Sequence, residues 1–386
     1  MAKELRVGWI ADIFDEVSGI ITDTEEMFEQ AKANDVYWQP ITCYHKQIHP
    51  FHVFFPLVKV PTNSFYAGTS MYVPNVVNIL AYLIRNRVNV IVSNTPGFMG
   101  MVAMACAAYL RLPWVDIYHT DIDYYAESLS GGFLLGNPLV KPIFNRAGLF
   151  YMKQYQKQAD LIFVRTQEFH DLLLKKGHDK SKLRSYPAGV NIDHWNPSYS
   201  TPSIWKQMEI GEQNKVVLFV GRITKVKDIV FLLDFFEQEK PVGYELVLIG
   251  GGPEKDDYQK RYDKNPNIHF AGIKRGEELQ QAYASADLYV LPSGSETLGK
   301  TILEAMASGT PALVSDKGGP RDYVKDKKNG RIFEAGNYES FKKVLGEMLA
   351  DSTALDKMGN EARNSILGHT DKKLFQQFTG HLKELL

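Results

Sequence analysis

Short apolar runs, each followed by a polar turn and a helical pattern, recur along the chain: LRVGWI, VNVIV, WVDIY and DLIFV in the first half, then VVLFV, ELVLI, NIHFAG, DLYVL and PALVS in the second. Runs this short, rich in Val, Ile and Leu and alternating with helices, predict α/β units whose parallel strands are buried on both faces. The rhythm fails once. Residues 191–214 hold Pro197, Pro202 and Gly211 among several Asn and Ser residues, and no period survives across them. That stretch is expected as a linker between two Rossmann-like domains, 1–190 and 215–368, with a cleft at the carboxyl ends of their strands. From Asn337 onward the segments YESFKKVLGEMLA, TALDKMGNEARNSIL and KKLFQQFTGHLKELL read as helices without strands between them. The last, within 369–386, is expected to cover an edge or to cross back to the first domain.

Residues 88–110 carry no charge and match the length of a membrane-spanning helix. Asn89, Asn94 and the Thr95-Pro96-Gly97 breaker argue instead for a buried strand, a turn and an Ala/Met-rich helix. At the start, Lys3, Glu4 and Arg6 precede too short an apolar run for a secretory signal, so a cytoplasmic protein is expected. The 386 residues are 44% hydrophobic and 23% charged, which excludes a disordered, collagenous or coiled-coil chain. With 44 Lys plus Arg against 45 Asp plus Glu, the net charge of -1 gives no footprint of a general nucleic-acid binder. Cys43 and Cys106 have neither CxxC spacing nor His-rich neighbours, and are expected as buried, inert thiols.

The densest candidate chemistry is PSGSETLGKTILEAMASGTP, residues 292–311, directly after the strand DLYVL. Its first polar residues therefore sit at the carboxyl end of a strand, where α/β proteins bind ligands. Thr297 is a candidate N-cap. The amides of Leu298, Gly299, Lys300 and Thr301 are then the first free donors of the helix, a place suited to phosphate. Glu296 and Glu304 are eight residues apart, about 12 Å along an ideal helix, so they would hold two ends of an elongated ligand. A capped surface helix with Lys300 and Glu304 as an i,i+4 pair accounts for the same pattern. A second strand-to-turn cluster, VVLFVGRITKVKD at 216–228, brings Arg222 and Lys227 to a strand end, where a planar fork and a point charge suit a diphosphate. Solvated loop charges are the plainer reading of those two cations.

In the order VGRITKVKD, LIGGGPE, NIHFAG and SGSETLGKTILEAMASGTPALVSDKGGPRD, the second half resembles the retaining glycosyltransferases of family four, which have the GT-B fold: two Rossmann-like domains with parallel sheets facing each other across a deep cleft. Glu296 and Glu304, followed by AMASGTP, are the most specific element of the resemblance. It implies that Arg222 and Lys227 bind the donor diphosphate, that Glu296 hydrogen-bonds sugar hydroxyls, and that amides around Leu298, Gly299, Lys300 and Thr301 touch sugar and phosphate. Glu304 would hold the ribose hydroxyls, Gly250, Gly272 and Ile273 would line the nucleotide pocket, and Gly318 with Gly319 would form a structural turn. In the first half, Gly19 resembles a glycine loop near the donor phosphates, without the usual paired glycine. TPGFMG and WVDIYHTD also match the pattern, with His119 expected to reach the donor sugar. Val226 departs from the family, which often has an acid just before the lysine.

Asp121-Ile122-Asp123 has the form of a divalent-cation ligand pair. GT-B members do not depend on such a motif, so no metal and no cofactor beyond the nucleotide-sugar co-substrate is expected. The resemblance further implies a front-face retaining mechanism without a protein nucleophile. The acceptor is less legible. Residues 128–159 contain Lys141, Arg146, Lys153 and Lys157 and no acid, interleaved with Phe133, Leu139, Phe144 and Phe150. Peripheral contact with an anionic membrane through 133–157, or a packed helix with solvated lysines, both fit. The motif style is similar to that of sulfolipid and glucosyl-diacylglycerol synthases, which points to a UDP-sugar donor and a lipid acceptor. HVFFPLVKVP, residues 52–61, is a second apolar candidate for acceptor contact, or a buried strand. A nucleotide-sugar epimerase or phosphorylase and a non-catalytic nucleotide-sugar binder remain alternatives. A NAD-dependent oxidoreductase is disfavoured, because no GxGxxG follows the first strand.

Overall fold

The computed structural model describes residues 3–13, 19–61, 70–118, 154–294, 296 and 298–386. The chain divides into two compact units, Met1–Tyr186 with Leu374–Leu386, and Pro187–Lys373.

Unit 1 is built on seven parallel strands in the order β3-β2-β1-β6-β7-β8-β9. They are β1 Arg6–Ile10, β2 Tyr37–Cys43, β3 His52–Phe54, β6 Val90–Ser93, β7 Trp114–Tyr118, β8 Leu161–Val164 and β9 Leu183–Ser185. A small antiparallel pair, β4 Val58–Pro61 and β5 Ser70–Val73, stands apart. The helices described are α1 Gly19–Ala33, α2 Val76–Arg85, α3 Phe98–Leu110 and α4 Gln167–Lys175. The uncharged stretch 88–110 resolves into β6, a turn and α3, as its Pro-Gly breaker predicts. Among the described residues no helix is long and apolar enough to cross a membrane. Cys43 and Cys106 are buried, and burial pushes their thiols up to about 12 and about 11.

Unit 2 carries six parallel strands: β10 Lys215–Val220, β11 Tyr244–Ile249, β12 Ile268–Gly272, β13 Leu288–Leu291, β14 Ala312–Ser315 and β15 Gly330–Phe333. Their order is β12-β11-β10-β13-β14-β15. Flanking helices are α5 Ile229–Glu239, α6 Lys255–Arg261, α7 Gly276–Ala284, α8 Lys300–Ala307, α9 Tyr338–Ala350 and α10 Ser352–Ile366. Val217, Leu218, Leu246, Val247, Tyr289 and Val290 are wholly buried, which is why these strands read as continuous apolar runs.

One feature differs from the expected layout. Residues 191–214 are not a free linker, because Trp205 and Ile210 are buried in the core of unit 2. The Trp205 indole donates to Ser285 O at 3.3 Å, and the Thr201 amide donates to Ser285 Oγ at 2.8 Å. Burying a tryptophan outweighs the local loss of period, and the segment folds as the short 3₁₀ turns Pro197–Tyr199 and Pro202–Met208. The last helix, α11 Asp371–Lys383, places Leu374 onward in unit 1. Its Phe375 and Phe378 pack on Trp38, Trp9 and Phe163, with ring centroids 5.6, 6.1 and 4.3 Å apart.

Candidate active site

In unit 2 the sheet winds outward in one direction from β10 through β11 and β12, and in the other from β13 through β14 and β15. Open α/β sheets bind ligands outside the carboxyl ends of the strands at such a reversal. The loops leaving β10 and β13 meet there and are tied together. Ser293 Oγ donates to Val226 O at 3.0 Å, and the Gly294 amide donates to the Asp228 carboxylate at 3.4 Å. The Lys227 ammonium donates to Glu296 Oε2, joining residues 69 apart in sequence. Both side chains are only partly exposed, so solvent screens this pair less than a surface one.

Glu296 is held from behind. Its carbonyl accepts the Gly319 amide at 2.9 Å. Gly318 has φ +77°, and a Cβ there would overlap Glu296 O. The turn that the family resemblance makes merely structural thus sets the position of the Glu296 backbone. A similar close approach explains the glycine run after β11. A Cβ on Gly250 would overlap Gly221 O and one on Gly252 would overlap Ile223 O, while the Ile223 amide donates to Gly251 O at 2.8 Å. The β10 and β11 loops therefore pack backbone on backbone beside Arg222, which is exposed. Gly272 (φ +68°) ends β12, and the next residue, Ile273, is 66% exposed.

Helix α8 begins at Lys300, and its N-cap is Gly299, in the left-handed region and without a side-chain cap. Thr297, the expected N-cap, lies outside the described residues. The Ile302 amide reaches Gly299 O at 2.9 Å, and Leu298 packs against the core, so Gly299, Lys300 and Thr301 form the opening turn of the helix. Two buried tyrosines that the sequence did not single out support this helix. Tyr289 Oη lies 2.7 Å from Thr301 Oγ1 and 3.3 Å from Val220 O, joining the end of β10 to the first turn of α8. Tyr283 Oη donates to Glu304 Oε2 at 2.8 Å, and Trp195 packs edge-on against Tyr283 at 5.2 Å. Burial raises the Glu304 carboxyl above its ordinary value, against the opposing effects of the Tyr283 hydrogen bond and the Lys300 charge. In QQAYASADLYVL both tyrosines occupy apolar-pattern positions, so spacing does not distinguish them from plain core residues.

Arg222, Lys227, Gly250, Gly272, Ile273, Glu296, Leu298, Gly299, Lys300, Thr301 and Glu304 thus all belong to unit 2, on α8 or at the carboxyl ends of its strands. Gly19 lies in unit 1 as the first residue of α1. His119, Asp121 and Asp123 lie outside the described residues, as does most of 133–157. At the end of the 128–159 stretch, Tyr155, Gln156 and Ala159 are buried.

The corresponding reversal in unit 1, between β1 and β6, is occupied by the chain itself. Asp12 follows β1, and its Oδ1 accepts the Met99 amide of α3 at 3.1 Å, while Thr95 Oγ1 donates to its Oδ2 at 2.6 Å. Burial raises this carboxyl above its ordinary value. Beside it, Asp116 accepts from Ser93 Oγ at 3.0 Å and Gln156 Nε2 at 3.3 Å, and burial pushes it up to about 6.

Residues 33–194 match the family described as Glycosyltransferase Family 4, and residues 201–365 the family described as Glycosyl transferases group 1. The chain belongs to the family-four glycosyltransferases. Sulfoquinovosyl transferase SQD2 of Arabidopsis thaliana is 31% identical over 290 residues, which cover 74% of this chain and 54% of that protein. The chain therefore spans about half the length of that relative. An alpha-monoglucosyldiacylglycerol synthase of Streptococcus pneumoniae is 22% identical over 90% of this glycosyltransferase and 79% of its own length. The crystal structure of Anabaena Alr3699/HepE in complex with UDP superposes with a TM-score of 0.76, at 16% identity, covering 99% of this chain and all of that one. The fold is GT-B.

Proposed function

We propose that the protein transfers a sugar from a nucleotide-sugar, with a UDP-sugar favoured, to a hydroxyl of a membrane lipid such as diacylglycerol, with retention of anomeric configuration. The observation that carries this reading is the meeting of Lys227 and Glu296 beside the start of α8, whose N-cap is Gly299. The name of the streptococcal relative supports the lipid acceptor, and the UDP complex supports the donor base.

In this reading the diphosphate lies across Arg222, Lys227 and the first amides of α8, with the ribose at Glu304 and the base toward Ile273. Charge develops on the departing phosphate as the glycosidic bond lengthens. Preorganised cations and amides stabilise that charge without any reorganisation at the moment of reaction. The leaving phosphate accepts the acceptor's proton on the face where the new bond forms, so neither a protein nucleophile nor a metal is needed. Glu296 holds sugar hydroxyls. The enzyme works in the cytoplasm at the inner face of a membrane.

The test incubates the protein with UDP-, GDP- and ADP-sugars, with and without diacylglycerol in detergent micelles, and measures free nucleotide and glycolipid. Lipid-dependent release of UDP with an α-linked product is expected. Donor binding without release identifies a regulatory binding protein, and sugar interconversion without acceptor identifies an epimerase.

A further inference from the structure

The uncharged helix α3 is apolar all round, a pattern that ordinarily belongs to a helix buried on every side. Here Met101, Ala105, Ala108 and Tyr109, at i, i+4, i+7 and i+8, are exposed, and Tyr109 is 74% accessible. Helix α2 packs beside it. Tyr82 on one flank of α2 stacks on His52 of β3, the edge strand, with centroids 4.1 Å apart. At 100° per residue Val77, Ala81 and Ile84 lie on a flank away from Tyr82 and from the buried Ile79 and Leu83, and Val77 is 71% and Ile84 55% exposed. Two adjacent helices therefore present apolar stripes outward on one side of unit 1.

The stretch of chain that carries these stripes has charge of one sign. Residues 36–115 contain no aspartate or glutamate, and their five cations, Lys46, Lys59, Arg85, Arg87 and Arg111, are all exposed. Arg85 and Arg87 stand at the end of α2 and Arg111 caps α3. Self-association across this face would set like charges against each other, and a nucleic acid would leave the aliphatic groups and Tyr109 without apolar partners. An anionic bilayer satisfies both, taking the apolar side chains at the headgroup boundary and the cations at its surface.

We propose that the outer face of α2 and α3 is the membrane-docking surface of this protein, taking anionic phospholipid. The inference deepens the lipid-acceptor reading and rests on it. It places membrane contact at 76–111, beside the expected 133–157, most of which lies outside the described residues.

The test is sedimentation with vesicles of phosphatidylcholine alone or mixed with phosphatidylglycerol, none containing diacylglycerol. Docking is thereby scored apart from acceptor use, which is read as glycolipid formed in detergent micelles. The protein is expected to pellet with the phosphatidylglycerol vesicles and to be released by high salt. The double variants Val77→Glu/Tyr109→Glu and Arg85→Glu/Arg87→Glu are each expected to weaken binding at least about tenfold, the loss of one to two apolar or ionic membrane contacts, with unchanged circular dichroism and UDP binding. No pelleting, equal pelleting with phosphatidylcholine alone, or pelleting unaffected in both variants overturns the proposal. So does a dimer that Val77→Glu/Tyr109→Glu dissociates in the absence of vesicle binding, which would make a second copy the occupant. If docking holds but no glycolipid forms in micelles, the surface stands and the acceptor reading fails.

Discussion

The two sheet reversals share one topology and treat the start of the adjoining helix in opposite ways. At β1 and β6, the Asp12 carboxylate accepts an amide in the first turn of α3 and a hydroxyl from Thr95, so the chain supplies its own anion. At β10 and β13, α8 opens on Gly299, which has no side chain to cap it, and the Glu296 carboxylate is joined to Lys227 instead. A helix start attracts negative charge in either case. What distinguishes a binding reversal from a structural one is whether the chain has already spent that attraction on one of its own residues.

Removing charge at the open reversal is expected to have the largest effect. Lys227→Ala and Glu296→Gln should each reduce transfer by at least about a hundredfold, the scale for losing a transition-state donor, measured as initial rates of nucleotide release. Near-normal turnover of a folded variant removes that residue from the site. Gly318→Ala should follow with roughly a tenfold loss in kcat/KM, because the new methyl group must displace Glu296 O. Its unfolding midpoint tells a shifted carboxylate from a disrupted unit. Tyr283→Phe should weaken UDP binding by about three- to tenfold, the worth of one net hydrogen bond, by loosening Glu304 while preserving the ring packing against Trp195.

At the closed reversal the expected signature is reversed. Asp12→Ala should cost stability, about 1 to 3 kcal/mol for orphaned buried donors, and leave UDP affinity unchanged. A loss of UDP affinity there would erase the distinction between the reversals. The smallest effect concerns Asp116. Its folded carboxyl, near 6, lies above the ordinary value of 3.8, so the folded state holds a proton that the unfolded state has released. Stability should therefore rise as pH falls from 7 towards 4, and Asp116→Asn should flatten that dependence, read as unfolding midpoints across the range.

Much of this was legible in the chain. All nine apolar runs became strands, because parallel strands buried on both faces must be continuously apolar. The candidate residues of unit 2 came together because strand ends and helix starts fall on one edge of a parallel sheet. Tyr283, Tyr289 and Gly318 were not legible as site supports, since their roles depend on contacts between segments distant in sequence. The 191–214 stretch misled for a related reason: Trp205 finds its partner at Ser285, 80 residues away. Asp12 gave one faint signal, an acid directly after the first apolar run, which became meaningful only once α3 was seen to start above it.

The central claim is that the open reversal of unit 2 holds a nucleoside diphosphate through its phosphates. Titration calorimetry of UDP and of uridine against the intact protein and the Lys227→Ala variant tests it most directly. The account predicts that UDP binds at least about tenfold more tightly than uridine, the scale of one charge-assisted phosphate contact, and that most of this preference disappears in the variant. Equal affinity for UDP and uridine, or a preference untouched by the loss of Lys227, would contradict it.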